Sequence, residues 1–266
     1  MTAPSPSRQA RLEPPAGARP RSRSSRPTTA GRLFVGTSGF AYRDWAPRFY
    51  PAGIVERDLL HSYALRLPAC ELNNTFYRSP TEAAIDGWLA ATPATFRFAV
   101  KAQRGGSLRA LTVDPETSVL WLTAPLRRFG ERLGTVLFRV PEEIERDDAR
   151  LAALLAHWPA DLPLTLEFQH PSWHVDETFA AMAAVGAVLC TTDLDDLAEP
   201  PTIRRTGRFL YLRLRRTAYD EAALADWAAR LEPFLAAGDD AFVFFRHDAD
   251  GESALRALYL ADSLGR

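Results

Sequence analysis

FRFAVKAQ, residues 96–103, changes character at every step: Phe96, Phe98 and Val100 alternate with Arg97, Ala99 and Lys101. A period of two marks a β-strand with different surroundings on its two faces. The pattern recurs in LPLTLEFQH (162–170), where Leu164, Leu166 and Phe168 oppose Thr165, Glu167 and Gln169. It recurs in FLYLRLRR (209–216), with Leu210, Leu212 and Leu214 against Tyr211, Arg213 and Arg215, and in ACELNNTF (69–76), with Cys70 and Leu72 against Glu71 and Asn73. In each case the polar side chains come late in the strand.

Four further runs complete a set of eight strands: LFVGTSG (33–39), GTVLFRVP (134–141) with Arg139, AVLCTTD (187–193) ending in Asp193, and AFVFFRHD (241–248). Helical patterns separate most of them. ERDLLHSYALRL (56–67) puts Leu59, Leu60, Tyr63, Ala64 and Leu67 on one face. Ser79, Pro80, Thr81 and Glu82 read as a capping box opening the next helix, and Asp114-Pro115 starts another. Glu142–Trp158, Asp176–Gly186, Asp220–Gly238 and Glu252–Leu264 supply the rest, whereas DLDDLAEPPTI (193–203) is too broken by proline to be a helix. Eight β/α alternations in about 234 residues predict an α/β fold, a single (β/α)8 TIM-type barrel of eight parallel strands, over residues 33–266, with an irregular segment after strand six. The leucine and phenylalanine series then face the helices. The polar series enters the barrel and gathers at the carboxyl ends of the strands, where barrel enzymes build their sites. Lys101, Arg139, Arg213, Arg215 and Arg246 are expected there against Glu71, Glu167, Asp193 and Asp248.

Composition bounds the function. Residues 1–32 carry seven arginines and one acid, which leaves residues 33–266 at about −7, ordinary for a soluble protein. The first 32 residues, rich in Arg, Pro and Ser, have almost nothing large and aliphatic to bury and are expected to be disordered. They lack a secretory signal, and no later run approaches the ~20 apolar residues of a membrane span. Cys70 and Cys190, in apolar runs without paired spacing, read as buried thiols of a cytoplasmic protein. Lys101 is the only lysine in the chain. Arginine has replaced lysine everywhere else, which suggests that a guanidinium cannot stand in for this ammonium group.

Several stretches carry a resemblance: GTSGFAYRDWAPRFYP (36–51), ELNNTFYRSP (71–80), WLAATPATFRFAVKA (88–102) and EFQHPSW (167–173). They are similar to the YecE-like family, domain of unknown function 72, along most of 33–266. The resemblance implies a TIM-type barrel distantly similar to the endonuclease IV and xylose isomerase group, and it implies no established reaction. It places the family's strand-two Glu and Asn on Glu71 and Asn73, its lysine on Lys101 and its strand-five glutamate on Glu167. The chain departs from the pattern at Arg139, Gln169, Arg215-Arg216 and Arg246-His247, and reads GGSLRAL (105–111) where relatives have Thr-His.

The candidate catalytic residues are therefore Glu71, Lys101 and Glu167, two carboxylates and an amine with the chemistry for acid–base work. The competing reading makes Lys101 a buried ion-pair partner of Glu71 and Glu167. Candidate ligand-binding residues are Asn73, Arg139, Gln169, His170, Arg213, Arg215 and Arg246, with Tyr42, Trp45, Tyr77 and Trp173 as stacking surfaces on the loops above the rim. The glycine pair Gly105-Gly106 and the turn at 36–39 are weaker anion-binding signals, better read as loops. No cofactor is expected; a divalent ion held among His170, His174, His247, Asp193 and Glu167 is the weaker alternative. Three functions follow: an enzyme acting on a small anionic, phosphate- or sugar-bearing substrate; a Schiff-base lyase using Lys101; or a nucleic-acid-binding module using the arginines and aromatics. The net charge of residues 33–266 weighs against the last.

Overall fold

The alternating runs become strands because each has one apolar face to set against helices and a second face to enclose. A computed structural model describes residues 29–266. The strands are β1 (Leu33–Thr37), β2 (Ala69–Leu72), β3 (Arg97–Lys101), β4 (Leu133–Val140), β5 (Leu164–Phe168), β6 (Val188–Asp193), β7 (Phe209–Leu214) and β8 (Asp240–Phe245). All pair in parallel, in the order β1-β8-β7-β6-β5-β4-β3-β2. The helices between them are α1 (Leu59–Ala64), α2 (Glu82–Ala90), α3 (Arg104–Thr112), α4 (Pro115–Thr123), α5 (Asp148–His157), α6 (Asp176–Val185), α7 (Glu221–Ala236) and α8 (Glu252–Ser263). The result is the expected (β/α)8 barrel. The segment after β6 forms neither helix nor strand up to β7, as its prolines predict.

The barrel closes by an unusual seam. β1 and β2 share only the bridge between Ser38 and Glu71, with the Gly39 N–H donating to the Glu71 carbonyl at 2.9 Å. Below it, Tyr63 of α1 joins the two strands: the Thr37 N–H donates to the Tyr63 hydroxyl at 2.8 Å, and that hydroxyl donates to the Ala69 carbonyl at 3.0 Å. Gly36 is required beside it, since a Cβ there would lie 1.9 Å from the Ala69 oxygen.

Side-chain parity divides the core in two. Cys70, Leu72, Phe96, Phe98, Val100, Leu164, Leu166, Phe168, Leu210, Leu212 and Leu214 pack under the helices. Phe34, Ala69, Ala99, Leu137, Val188, Cys190, Tyr211, Phe242 and Phe244 fill the barrel interior. Strand six is the exception to the expectation. Its inward series is Val188, Cys190 and Thr192, so Asp193 turns outward, where it accepts from Arg216 Nε at 2.8 Å and from the Tyr219 hydroxyl at 2.9 Å. AVLC is apolar at every position, as a strand buried on both faces must be, and such a run carries no parity signal.

Local signals shift by small amounts. The cap of α2 is Thr81, which accepts from the Ala84 N–H, rather than Ser79; starting there turns Ile85 into the core. Asp114 caps α4 with Pro115 in the first turn, as predicted. Gly105 and Gly106 do not form a loop. They open α3, with the Gln103 side chain accepting from the Gly106 N–H, and a Cβ on Gly106 would meet Leu122 and Trp121 of α4 at 2.7 Å. The predicted disorder of residues 1–28 lies outside the described residues. Residues 31 and 32 already belong to the barrel: Gly31 donates to the Leu235 carbonyl and the Arg32 carbonyl accepts from Ala241.

Candidate functional site

Four strands carry a polar side chain into the barrel near their carboxyl ends, and three of the four meet directly. Glu71 (β2), Lys101 (β3), Glu167 (β5) and Arg213 (β7) are all buried near the carboxyl ends of their strands. Arg213 is the hub. Its Nη2 donates to Glu71 Oε1 at 2.8 Å and its Nη1 to Glu167 Oε1 at 2.7 Å. The Tyr211 hydroxyl donates to Glu71 Oε2 at 2.7 Å, and the Thr192 hydroxyl donates to Glu167 Oε1 at 3.1 Å. Both Glu71 oxygens are therefore engaged and the residue has no exposed surface. The ion-pair position anticipated for Lys101, between the two glutamates, is occupied by Arg213.

Lys101 stands apart from that triad. No carboxylate of the described residues reaches its Nζ within ion-pair distance; the ammonium sits 4.2 Å above the centroid of the Phe76 ring. Burial, and then the charge of Arg213, lowers its pKa to about 8, against the opposing pull of Glu71 and Glu167. Burial alone would raise the Glu167 carboxyl, but Arg213, by charge and hydrogen bond, and then Lys101 and Arg139 hold it down to about 2. For Arg213, burial works against the charge, yet Glu167 and Glu71 push its pKa well above the ordinary value. Glu167 also keeps one oxygen unused: Oε2 lies 3.6 Å from Arg139 Nε, and both atoms are buried without a hydrogen-bond partner.

Around this core the predicted ligand residues divide. Arg139 and Arg215 are half-buried at the mouth; burial and the neighbouring Arg213 lower the Arg215 pKa. Arg246 comes just beyond β8 and is exposed. Asn73 is half-buried just beyond β2. Gln169 is exposed, and His170 caps a short turn by accepting from the Ser172 N–H. Tyr42 stacks on His247 at 5.0 Å, and burial, then Arg215 and Arg246, keeps the His247 pKa low. Tyr77 is 80% exposed.

Two expected stacking surfaces are closed. Trp45 and Trp173 have no exposed surface: Trp45 donates to the Asp248 carbonyl and packs on Phe49 and Tyr50, and Trp173 donates to the Ile144 carbonyl and stacks on Phe168. A tryptophan in a βα loop has more apolar area to bury than a ligand site can use, and here the core takes it. Asp248 is also diverted, accepting from the Gly251 and Ser253 N–H groups at the start of α8. The residues of the metal alternative do not gather. His174 bonds the Phe168 carbonyl, Asp193 faces outward, and among the described residues no three His, Cys, Asp or Glu side chains are placed to hold an ion. The contributions of Thr192 and Phe76, and the Tyr211 bond to Glu71, were missed; parity places Tyr211 inside, but no sequence signal names its partner.

Comparison with known proteins agrees with this architecture. The chain is 22% identical over 265 residues to UPF0759 protein YunF of Bacillus subtilis (strain 168), an alignment covering 84% of this chain and 91% of that one. Among solved structures it is similar to a DUF72 family protein of Thermotoga maritima MSB8, with 25% identity, a TM-score of 0.78, and 88% and 100% of the two chains covered. A DUF72 family protein of Enterococcus faecalis V583 shares the fold at 21% identity and a TM-score of 0.70, over 90% and 99% of the chains. No helix among the described residues is long and apolar enough to cross a membrane. The model of the family described as "Protein of unknown function DUF72" matches residues 34–266, from the second residue of β1 onward, and the chain belongs to that family.

Proposed function

We propose that the protein is an enzyme acting on a small anionic, phosphate- or sugar-bearing substrate at the carboxyl-end mouth, with Lys101 as its proton-transfer group. One observation carries this reading: Lys101 is a buried amine without a carboxylate partner, in a mouth whose two buried glutamates are already held by Arg213. Arg215, which forms no ion pair with a carboxylate of the described residues, adds positive charge beside Arg139, and the mouth then holds four cationic side chains against two glutamates, which suits an incoming phosphate or carboxylate. Glu71 and Glu167 act in this scheme as fixed counter-charges. They hold Arg213 in place and keep the Lys101 ammonium from being lowered further. An amine that loses its proton near pH 8 can both donate and accept a proton at neutral pH.

The low pKa also favours a second reading. The free amine is populated at neutral pH, and one wall of its site is the Phe76 ring, so Lys101 is suited to condense with a substrate carbonyl and release water. Phosphate and borohydride separate the two readings. Phosphate at equal ionic strength should raise the Tm of the wild type and not of Arg215→Gln. No shift in a folded sample would remove the anion site. With borohydride and candidate aldehydes or ketones, an adduct on the single lysine would select the carbonyl chemistry over proton transfer.

A further inference from the structure

The other end of the barrel holds a cavity of about 890 Å³ that the mouth chemistry does not touch. It opens where the strands begin, between the starts of β1, β3, β4, β5, β7 and β8 and the ends of α5 and α6. That volume is within the range of small-molecule sites. Its lining combines two chemistries. Three arginines, Arg32, Arg97 and Arg208, face it, and none forms an ion pair with a carboxylate of the described residues. The aromatic part consists of Phe34 stacked on Phe242 at 4.7 Å, Phe209 edge-on to Phe242 at 5.2 Å, and Trp158.

The arginines are placed, not merely present. The guanidinium groups of Arg32 and Arg97 both lie over the Phe34 ring, 4.7 and 5.7 Å from its centroid. Arg97 is further fixed by donating to the Ala94 and Phe96 carbonyls. Burial and the neighbouring Arg32 lower its pKa, as expected for two like charges held close in a partly dry site. Of the two acids in the lining, Asp161 is bound by Arg127, while Asp240 accepts the Arg32 backbone N–H at 2.7 Å and keeps its charge, one acid against three arginines. Glu131 and, less strongly, Asp240 oppose the lowering of Arg97, neither closing an ion pair with it. A purely solvated arginine face would spread its charges apart rather than gather two of them on one phenyl ring.

We infer that this amino-end cavity is a second binding site, for a planar aromatic anion of about nucleotide size. The anionic group sits among Arg32, Arg97 and Arg208, and the ring packs against the half-buried Phe209 and Trp158. Arginine suits both parts, since its planar fork pairs with phosphate or carboxylate and its face stacks on aromatic rings. The inference is independent of the reaction at the opposite mouth.

Calorimetric titration of the full-length chain tests it, with adenosine 5′-monophosphate, adenosine and inorganic phosphate as probes. In Arg215→Gln, which removes the phosphate site of the mouth, adenosine monophosphate should bind one to one and about tenfold more tightly than either fragment, because only it supplies both ring and charge. Arg97→Gln and Arg208→Gln should each weaken it by about tenfold or more, while Arg215→Gln at the opposite mouth leaves it unchanged. Arg208 is exposed, so its variant keeps the test usable if Arg97→Gln fails to fold. The inference is overturned by the absence of saturable binding up to about 10 mM. It is equally overturned by undiminished binding in the two variants at wild-type Tm, or by loss of binding in Arg215→Gln, which would move the ligand to the carboxyl-end mouth.

Discussion

Glu71 and Arg213 lie 142 positions apart in the chain and 2.8 Å apart in the barrel, and the same guanidinium reaches Glu167 at 2.7 Å. This triad spans three strands with all its members buried. Removing the central charge leaves Glu71 with no cation in contact and Glu167 with only Arg139, at 3.6 Å. Arg213→Met is therefore expected to destabilise the fold by roughly 3–5 kcal/mol. Urea denaturation at pH 7 checks it, and a loss below about 1 kcal/mol would mean that the carboxylates find other partners.

The Glu167 carboxyl, held near 2 against an ordinary value of 4.5, makes stability depend on acid. Because the folded value is the lower one, the contribution is complete above about 4.5 and is lost as the pH falls through 2. The full effect is roughly 3 kcal/mol. Denaturation curves between pH 6 and 2 should slope more steeply for the wild type than for Glu167→Gln; parallel slopes would contradict the assignment.

Lys101 should behave in the opposite sense. Its folded pKa, about 8, lies below the ordinary 10.5, so the unfolded chain holds more protons between those values. Stability attributable to this group then rises with pH across that window, and below about 8 its burial is a full penalty of at most roughly 3 kcal/mol. Lys101→Met should be as stable as the wild type or more so at pH 7, because Arg213 and not Lys101 neutralises the glutamates. Reductive dimethylation with ¹³C-formaldehyde labels one side chain and the amino terminus only, so an NMR titration reads the lysine directly. A midpoint near 10.5 would refute the lowered pKa and with it the proton-transfer role.

The seam between β1 and β2 depends on one hydroxyl. Tyr63→Phe leaves the Thr37 N–H and the Ala69 carbonyl buried without that partner, at a cost of about 1–3 kcal/mol. Hydrogen exchange at the Thr37 amide should accelerate in the variant by more than at β4 or β5. Uniform acceleration would show that the seam opens only with the whole barrel.

What the sequence determined by itself was the set of eight strands and, for most of them, which face turns inward. FRFAVKAQ, LTLEF and FLYLRL alternate because the helix side demands bulk while the barrel interior tolerates polar groups near its open end, so Lys101, Glu167 and Arg213 were legible as inward residues. The same logic failed for AVLC, buried on both faces, and so misplaced Asp193. Only the tertiary structure decided the pairing inside the mouth. Arg213 takes the position between Glu71 and Glu167 because its two-nitrogen fork spans two carboxylates at once, whereas an ammonium is a single point of charge. It also decided that Trp45 and Trp173 belong to the core and that Gly106 lets two helices touch. Those outcomes depend on distances between residues far apart in the chain, and alternation along a strand carries no information about distance across a barrel.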